Sequence, residues 1–403
     1  MSTSLLYHGW GIRGYHLVRE EFVEGRIVQV IAQPTWTLRC PACGSGQVIR
    51  SGQFERVFKA PPIGRKTVLI RLPVQRVECR DCGAIRQAKL GFADERRSYT
   101  HAFERYALDL CSMATIKDVA LHLAVSWDTI KDIHKRYLGR HFGKPKLKKL
   151  RLIAIDEISI GRGQRYLTVV LDWERGAVVF VGKGRGADSL APFWRRLRAS
   201  GAKVKAVAMD MSPAYLAAVR KNLPKARVVF DRFHVIKLFN DKLSDLRRQV
   251  QSGAEGEAKQ VLKCTRWLLL KNPDNLDKKH SEKQRLEEAL RLNKPLATAY
   301  YLKEDLRQFW EWPSKAIARW FLDDWIARAT VSKITMLVKF ARTLETHKAG
   351  LLAWYDSPIS TGPLEGTNNK IKTLQKRAYG YRDQDYFTLR IYALHLLNYA
   401  LVG

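Results

Sequence analysis

Between Leu150 and Phe230 the chain carries a sequence pattern that few architectures accept. Apolar runs of strand length come first in close succession, over Leu150 to Asp156, Tyr166 to Trp173 and Ala177 to Gly182, joined by short connections that contain glycine. A helix over Ala187 to Ser200, a strand over Val204 to Met209, a helix over Pro213 to Asn222 and a strand over Ala226 to Phe230 follow. Three consecutive strands and then alternating helix and strand predict an α/β unit built on a mixed sheet.

Two of these runs end on an aspartate, Asp156 and Asp210. An acid at the end of a strand points out of the core and is placed to bind a hard cation. Glu365, after Gly362-Pro363-Leu364 at the start of a predicted helix, is a third acid of this kind. Acids converging from different elements can hold two Mg²⁺ (or Mn²⁺) ions roughly 3.5–4 Å apart. One aspartate after a strand is usually a turn or cap residue, but two in one sheet of a basic chain bring the cation reading level with that one. Glu157 is a neighbouring alternative, although strand alternation sends it to the opposite face. The surrounding lysines and arginines are expected to hold the carboxylate pKa values low.

The helix of Glu365 adds Asn368, Asn369, Lys372 and Lys376 on the same face, with Leu364, Ile371, Leu374 and Ala378 on an apolar one. Such a polar face suits a metal ligand, two amides and two cations laid along a phosphate backbone. The plain alternative is a solvated face whose acid complements the helix dipole. Asparagines are poor helix-interior choices without a task, which weighs against it. Asp231-Arg232-Phe233-His234 follows the last strand. Asp231 suits a helix cap, and His234 with Arg232 would steady a scissile phosphate or a displaced strand. A capping acid with an incidental histidine is the other account.

Charge narrows the partner. The 403 residues carry 71 Lys and Arg against 39 Asp and Glu, a net charge of +32, and the basic residues recur from Arg13 to Arg390. That dispersion fits an extended polyanion, double-stranded DNA, better than one solvated face. A membrane surface is the competing partner, but the chain shows no long apolar span and no basic amphipathic anchor. The N-terminus has no signal-peptide core, so the expected place of action is a bacterial cytoplasm, at the nucleoid.

Four of six cysteines form Cys40-Pro-Ala-Cys43-Gly and Cys79-Arg-Asp-Cys82-Gly. Duplicated CxxC pairs, each followed by glycine, read as the knuckles of a zinc ribbon with one structural Zn²⁺; redox pairs or disulfides are the alternatives. Residues up to about 95 alternate short β-like runs with turns at Pro61-Pro62 and Gly64, and are expected to own little core. A bound Zn²⁺ supplies roughly 10–16 kcal/mol of apparent binding energy toward folding such a segment. Cys111 and Cys264 are expected as small buried hydrophobes.

From about residue 100 the period becomes helical. Thr115 to Leu123, a turn at Ala124-Val125-Ser126, and a helix from Trp127 with Ser126 as its cap make a helix-turn-helix pattern. Trp127, Thr129, Lys131 and Lys135 are its candidates to face a groove or phosphates, though two packed helices without a ligand would look alike. From Phe233 to Tyr355 the chain reads as an all-α insertion. Of its Trp267, Trp310, Trp312, Trp320 and Trp325, most are expected in the core, with one or two left to stack on unpaired bases.

Taken in order, these motifs resemble DDE transposases of bacterial insertion sequences, most closely the ISL3 family. The resemblance rests on the two cysteine knuckles, the helix-turn-helix, Ala154-Ile-Asp-Glu-Ile-Ser159, Ala208-Met-Asp-Met-Ser-Pro-Ala-Tyr215, Phe230-Asp-Arg-Phe-His-Val-Ile-Lys237 and Ser360-Thr-Gly-Pro-Leu-Glu-Gly-Thr-Asn-Asn-Lys-Ile-Lys372. It implies a ribonuclease H-like core, which has the strand and helix order already noted. It also implies Asp156, Asp210 and Glu365 as the catalytic acids and Asp231 with His234 as an accessory motif. The implied activity is Mg²⁺-dependent cleavage at the inverted repeats of an element and transfer of the 3′-OH into target DNA, by a homodimer or larger assembly. The domain plan is then a zinc-ribbon domain over 1–97, a helix-turn-helix over 98–142, a catalytic domain over 143–240 and 356–403, and a helical insertion over 241–355. A DNA-binding regulator without catalysis and a structure-specific nuclease are the rival classes.

Overall fold

The computed structural model describes residues 4–34, 38–161, 163, 165–263, 265–277 and 280–395, with Glu257 and Ala258 as backbone only. It divides into two compact units, one up to Gly143 and one from Lys144 onward. Cys264 lies outside the described residues; Cys111 is buried, as expected.

The first unit begins with helix α1 (Leu5–Trp10) and strands β1 (His16–Val23), β2 (Arg26–Ala32), β3 (Val48–Ile63), β4 (Lys66–Cys79) and β5 (Ile85–Gln87). They form one sheet in the order β1-β2-β4-β3, with β5 paired to the end of β4. Pro61 and Pro62 do not make the turn. They end strand β3, where the ladder slips between Ala60 and Ile63, and the chain reverses at Gly64, whose φ of 59° suits glycine. A bulge on an edge strand tolerates proline because few ladder bonds are lost there.

The expectation of little core is also overturned. Strand β4 alternates from Val68 to Val74, so Val68, Ile70, Leu72 and Val74 are all fully buried on one face. Trp10, Ile31 and Phe58 pack against them. Each such side chain contributes roughly 1.5–3 kcal/mol by burial, a source of stability independent of any metal.

Three helices complete this unit: α2 (His101–Met113), α3 (Ile116–His122) and α4 (Trp127–Phe142). Thr115 and Asp118 cap α3 reciprocally, and Ser126 caps α4 by accepting from the Thr129 amide. Between them Ala124 takes a φ of 48°, the left-handed residue that makes the turn tight. Phe103, Ala107, Val119, Leu123, Ile130 and Ile133 form the shared core.

The second unit contains the mixed sheet. Its strands are β6 (Leu152–Gly161), β7 (Arg165–Asp172), β8 (Ala177–Lys183), β9 (Ala206–Met209) and β10 (Arg227–Phe230), in the spatial order β10-β9-β6-β7-β8. Strands β6, β7 and β8 pair antiparallel, while β9 and β10 run parallel to β6. This is the ribonuclease H-like arrangement. Helices α5 (Ala191–Ser200) and α6 (Pro213–Asn222) connect the parallel strands. Phe193, Trp194, Leu197, Tyr215 and Val219 from these helices pack on Ile153, Ile155, Val207 and Met209.

Helices α7 (Arg232–Ser252), α8 (Gly256–Leu262), α9 (Arg266–Leu270), α10 (Glu282–Leu292), α11 (Lys294–Gln308), α12 (Lys315–Val331) and α13 (Thr335–Leu352) follow β10. Their core centres on Phe239, Trp325 and Phe340 in edge-on ring contacts. Trp310 and Trp325 are core, Trp312 is partly buried, and Trp267 and Trp320 stand 67% and 68% exposed. Helices α14 (Gly362–Arg377) and α15 (Gln384–Ala393) then return to the sheet. The Gln375 side chain donates to the Ile160 carbonyl of β6, and the Val181 amide of β8 donates to the Tyr392 hydroxyl.

Candidate active site

Register assembles the acids. Strand β6 does not stop at Asp156 as its apolar run suggested, but continues to Gly161 in the hairpin with β7, where Asp156 lies opposite Val169. What stops is its parallel neighbour. The β6–β9 ladder ends at Ala154 opposite Ala208, so Asp156 and Asp210 each stand two residues past the last pair. On the far side Met209 pairs with Phe230, which puts Asp231 next to Asp210. Three adjacent parallel strands thus present an aspartate in one row where their parallel pairing stops, the edge at which open α/β sheets place ligands.

Alternation assigns the faces. Ile153 and Ile155 enter the core under α5 and α6, and Glu157 follows them to that side, where it meets the Tyr215 hydroxyl. Asp156 points to the other face, toward α14. There its Oδ2 accepts from Asn368 Nδ2 at 2.8 Å and its Oδ1 from the Glu157 amide at 2.8 Å. Asp210 Oδ1 accepts from the Ser212 amide at 3.0 Å.

Asp231 is the N-cap of α7 and only 3% exposed. Its Oδ2 lies 3.2 Å from His234 Nδ1, and its Oδ1 accepts from the Thr361 amide, just ahead of α14, at 3.0 Å. One capping acid therefore ties the start of α7 to the start of the helix that carries Glu365. His234 Nε2 lies 3.9 Å from Asp156 Oδ1, so the ring sits between two acids. Burial works against its charged form, but Asp231, Asp156 and Asp210 outweigh burial and raise its pKa. Asp231 is likewise penalised by burial, yet His234 and the Thr361 amide hold it below the usual carboxylate range.

Asp156 departs from expectation. Burial pushes its pKa up, reinforced by the charges of Asp210 and Glu157, and the Glu157 amide with His234 offsets only part of this. The largest influences on it are burial, the Glu157 amide, His234, Asp210 and Glu157, none of them a lysine or arginine. Basic residues far along the surface are screened from a half-buried carboxylate, so net charge did not set the balance at Asp156.

Two further assignments change. Arg232 does not reach toward the acids: it pairs with Glu311 at 3.5 Å and lies over the Trp310 ring at 5.5 Å. Asn368 is not on the solvent face but 7% exposed and bound to Asp156, whereas Glu365, Asn369, Lys372 and Lys376 are exposed. The 3.6-residue period put all five residues on one stripe, and the contact of α14 with β6 buries Asn368 out of it. The Asn368–Asp156 bond and the Thr361 amide were not found from sequence, because each partner lies more than a hundred positions away.

In the first unit Cys40, Cys43, Cys79 and Cys82 bring their sulfurs within 4.8 Å of one another. The Cys40–Cys82 and Cys43–Cys79 separations are 3.7 and 3.5 Å. A tetrahedral S₄ zinc site with Zn–S of about 2.3 Å has an edge of about 3.8 Å, so the residues fit the metal. The amides of Cys43 and Ala42 donate to the Cys40 sulfur and lower its thiol to about 6. Among the described residues, no other set of three or more His, Cys, Asp and Glu is gathered so closely, and the three acids are not. Their donor set of hard oxygens, with one carboxylate buried beside another, nonetheless suits a strongly charged cation.

On the helix-turn-helix, Trp127 is 54% exposed with the Lys131 ammonium 5.6 Å from its ring centre. The Thr129 hydroxyl is hydrogen-bonded to that of Ser126 at 2.9 Å.

Residues 153–391 match the transposase family model of the DDE ISL3 type. Residues 88–138 match the helix-turn-helix domain of transposase family ISL3, and residues 36–82 the zinc-finger of transposase IS204/IS1001/IS1096/IS1165. The transposase for insertion sequence element IS1001 of Bordetella parapertussis is 33% identical over 393 residues, 96% of each chain. The transposase for IS1557 of Mycobacterium tuberculosis is 28% identical over 85% of this chain and 82% of its own. A chain of the Drosophila P element transposase strand transfer complex aligns over 76% of this one and 94% of its own length, at 13% identity and a TM-score of 0.39.

Proposed function

This chain belongs to the ISL3 family of transposases, with a zinc ribbon, a helix-turn-helix and a DDE catalytic domain, and from that premise we propose what each part does. The protein binds the terminal inverted repeats of its insertion sequence, cleaves the DNA there with Mg²⁺, and joins the freed 3′-OH to target DNA. The observation that carries this reading is the row of Asp156 and Asp210 at neighbouring strand ends, with α14 bonded to Asp156 one helical turn from Glu365.

Asp156 is the central ligand, and Asp210 and Glu365 flank it as the other two. Two Mg²⁺ (or Mn²⁺) ions bound there supply activation of the attacking oxygen and neutralisation of the leaving one. Exposure of Glu365 leaves room for a phosphodiester to enter between it and the two aspartates. His234, oriented by Asp231 through Nδ1, faces Asp156 with Nε2, and its protonated form would be placed to donate to a phosphate oxygen. Arg232, turned to Glu311, serves the insertion rather than the phosphate.

DNA recognition is divided. One structural Zn²⁺ on Cys40, Cys43, Cys79 and Cys82 shapes the ribbon of residues 1–97. In the helix-turn-helix of 98–142, α4 presents Trp127, Thr129, Lys131 and Lys135 to the duplex. Asn369, Lys372 and Lys376 follow the backbone next to the catalytic domain of 143–240 and 356–403, and the insertion of 241–355 holds a flank. Joining two ends requires two active sites, hence a homodimer or larger assembly on DNA. Among the described residues no helix is long and apolar enough to cross a membrane.

The test is strand transfer from a labelled element end into a plasmid with Mg²⁺. Asp156→Ala and Asp210→Ala each should lower joining by about three orders of magnitude, ~4 kcal/mol of transition-state stabilisation. Unchanged joining by Asp156→Ala would refute the assignment. Cutting of branched DNA without any joining would mark a nuclease instead.

A further inference from the structure

We propose that Asn368 is a positioning residue for the Asp156 carboxylate rather than a contact to DNA, an inference that rests on the reading of Asp156 as a cation ligand. Asp156 has one donor on each oxygen, the Glu157 amide on Oδ1 and Asn368 Nδ2 on Oδ2, both at 2.8 Å. The first comes from the adjacent peptide and allows the carboxylate to rock about it. The second reaches in from another element and fixes the carboxylate plane. A carboxylate accepts about four hydrogen bonds in all, so each oxygen keeps a lone pair for a cation.

The same bond has a second consequence. Asn368 follows Glu365 by one turn of α14, so tethering it to Asp156 sets the level at which Glu365 stands over the sheet. Simple docking of the helix does not need it, because Gln375 already binds the Ile160 carbonyl two turns later at 2.5 Å. Nor is Asn368 an ordinary packing residue. It is 7% exposed, and its Oδ1 is buried without a hydrogen-bond partner, where an apolar side chain would leave nothing unpaired. The amide is retained at that cost because its N–H is what Asp156 requires.

Groups that orient metal ligands in this way typically change metal affinity by about 10–100-fold when removed. Mn²⁺ alone serves as the probe, titrated into the full-length zinc-loaded protein and followed by the electron paramagnetic resonance of free Mn²⁺. Asp156→Ala identifies the binding that belongs to this site by abolishing it. Asn368→Leu and Asn368→Ser should each weaken that binding by about 10–100-fold. Gln375→Leu should lower the melting temperature and leave Mn²⁺ affinity unchanged, which separates positioning from docking. Binding of a duplex element end to the zinc-loaded protein without added Mg²⁺ or Mn²⁺ should be the same for both Asn368 variants and wild type. Wild-type Mn²⁺ affinity in both Asn368 variants overturns the proposal, and so does loss of DNA binding with Mn²⁺ affinity intact. Mn²⁺ binding that survives Asp156→Ala overturns the cation-ligand reading beneath it as well.

Discussion

The thiol cluster and the acid row are both suited to metals, and they are put together in opposite ways. The thiols sit on two turns at one end of the β3–β4 hairpin, where Val48 pairs with Cys79 and backbone amides already point at sulfur. Their atoms stand at tetrahedral spacing before any ion is considered. The acids come from three neighbouring strands and a helix start, and the hydrogen bonds that tie strand acids to that helix span 130 and 212 positions. Their charges repel, and burial pushes Asp156 toward its neutral form. A closed structural site is set by short-range geometry. The acid row is held under electrostatic tension by the packing around it, a tension that a bound cation would relieve.

The largest test of this contrast removes the thiol side. Chelation of zinc, or Cys40→Ala, forfeits on the order of 10 kcal/mol of apparent binding energy. Amide hydrogen exchange should then show the knuckles and β5 opening, while β4 around Ile70 and Leu72 stays protected by its own core. Loss of protection along the whole of β4 would mean that knuckle and sheet are one cooperative unit.

A middle-sized effect probes the long-range side. A methyl group added at Gly350 would stand 2.4 Å from the Phe230 ring, immediately before Asp231. Gly350→Ala should destabilise by about 1–3 kcal/mol through overpacking. It should also slow strand transfer, because Asp231 directly follows β10. At Gly44, with φ of 78° and open space around its Cβ position, alanine meets only backbone strain of about 1–2 kcal/mol. Thermal melts with parallel activity assays separate the two, and full activity in Gly350→Ala would show that the acid row tolerates displacement.

The smallest effect is a pH dependence of the zinc-loaded protein without added Mg²⁺ or Mn²⁺. His234 has its pKa raised above its ordinary 6.5 in the fold, so its contribution to stability is full below that value and is lost as pH rises through the raised one. Asp231, held below its ordinary 3.8, contributes above that value and loses its part only as pH falls through the lowered one. The pair is therefore strongest between those two ordinary values. The melting-temperature deficit of His234→Ala should be larger near pH ~5.5 than near pH ~8.5. An equal deficit at both would show that the ring acts by packing alone.

Much of this was legible because it is local. The strand and helix order from Leu150 to Phe230, the Ser126 cap and the cysteine knuckles follow from period, turn chemistry and spacing. Less legible was anything that depended on a distant neighbour. Alternation from Val68 to Val74 of β4 was present in the letters, but its burial needed α1 and the segment around Phe92 to pack on it. Asp156 appeared as a strand end because its apolar run ends there, while β7 carries β6 on to Gly161.

By itself the sequence determined the kinds of chemistry available: four thiols on glycine turns, acids after apolar runs, a polyanion-binding charge and a mixed-sheet element order. Tertiary structure alone decided which groups meet. It aligned the ends of β6, β9 and β10, turned Arg232 toward the helical insertion, and buried Asn368 against Asp156. Periodicity is a property of one segment, whereas a hydrogen bond or a pKa depends on the register and burial of two, and those are set only when the segments pack.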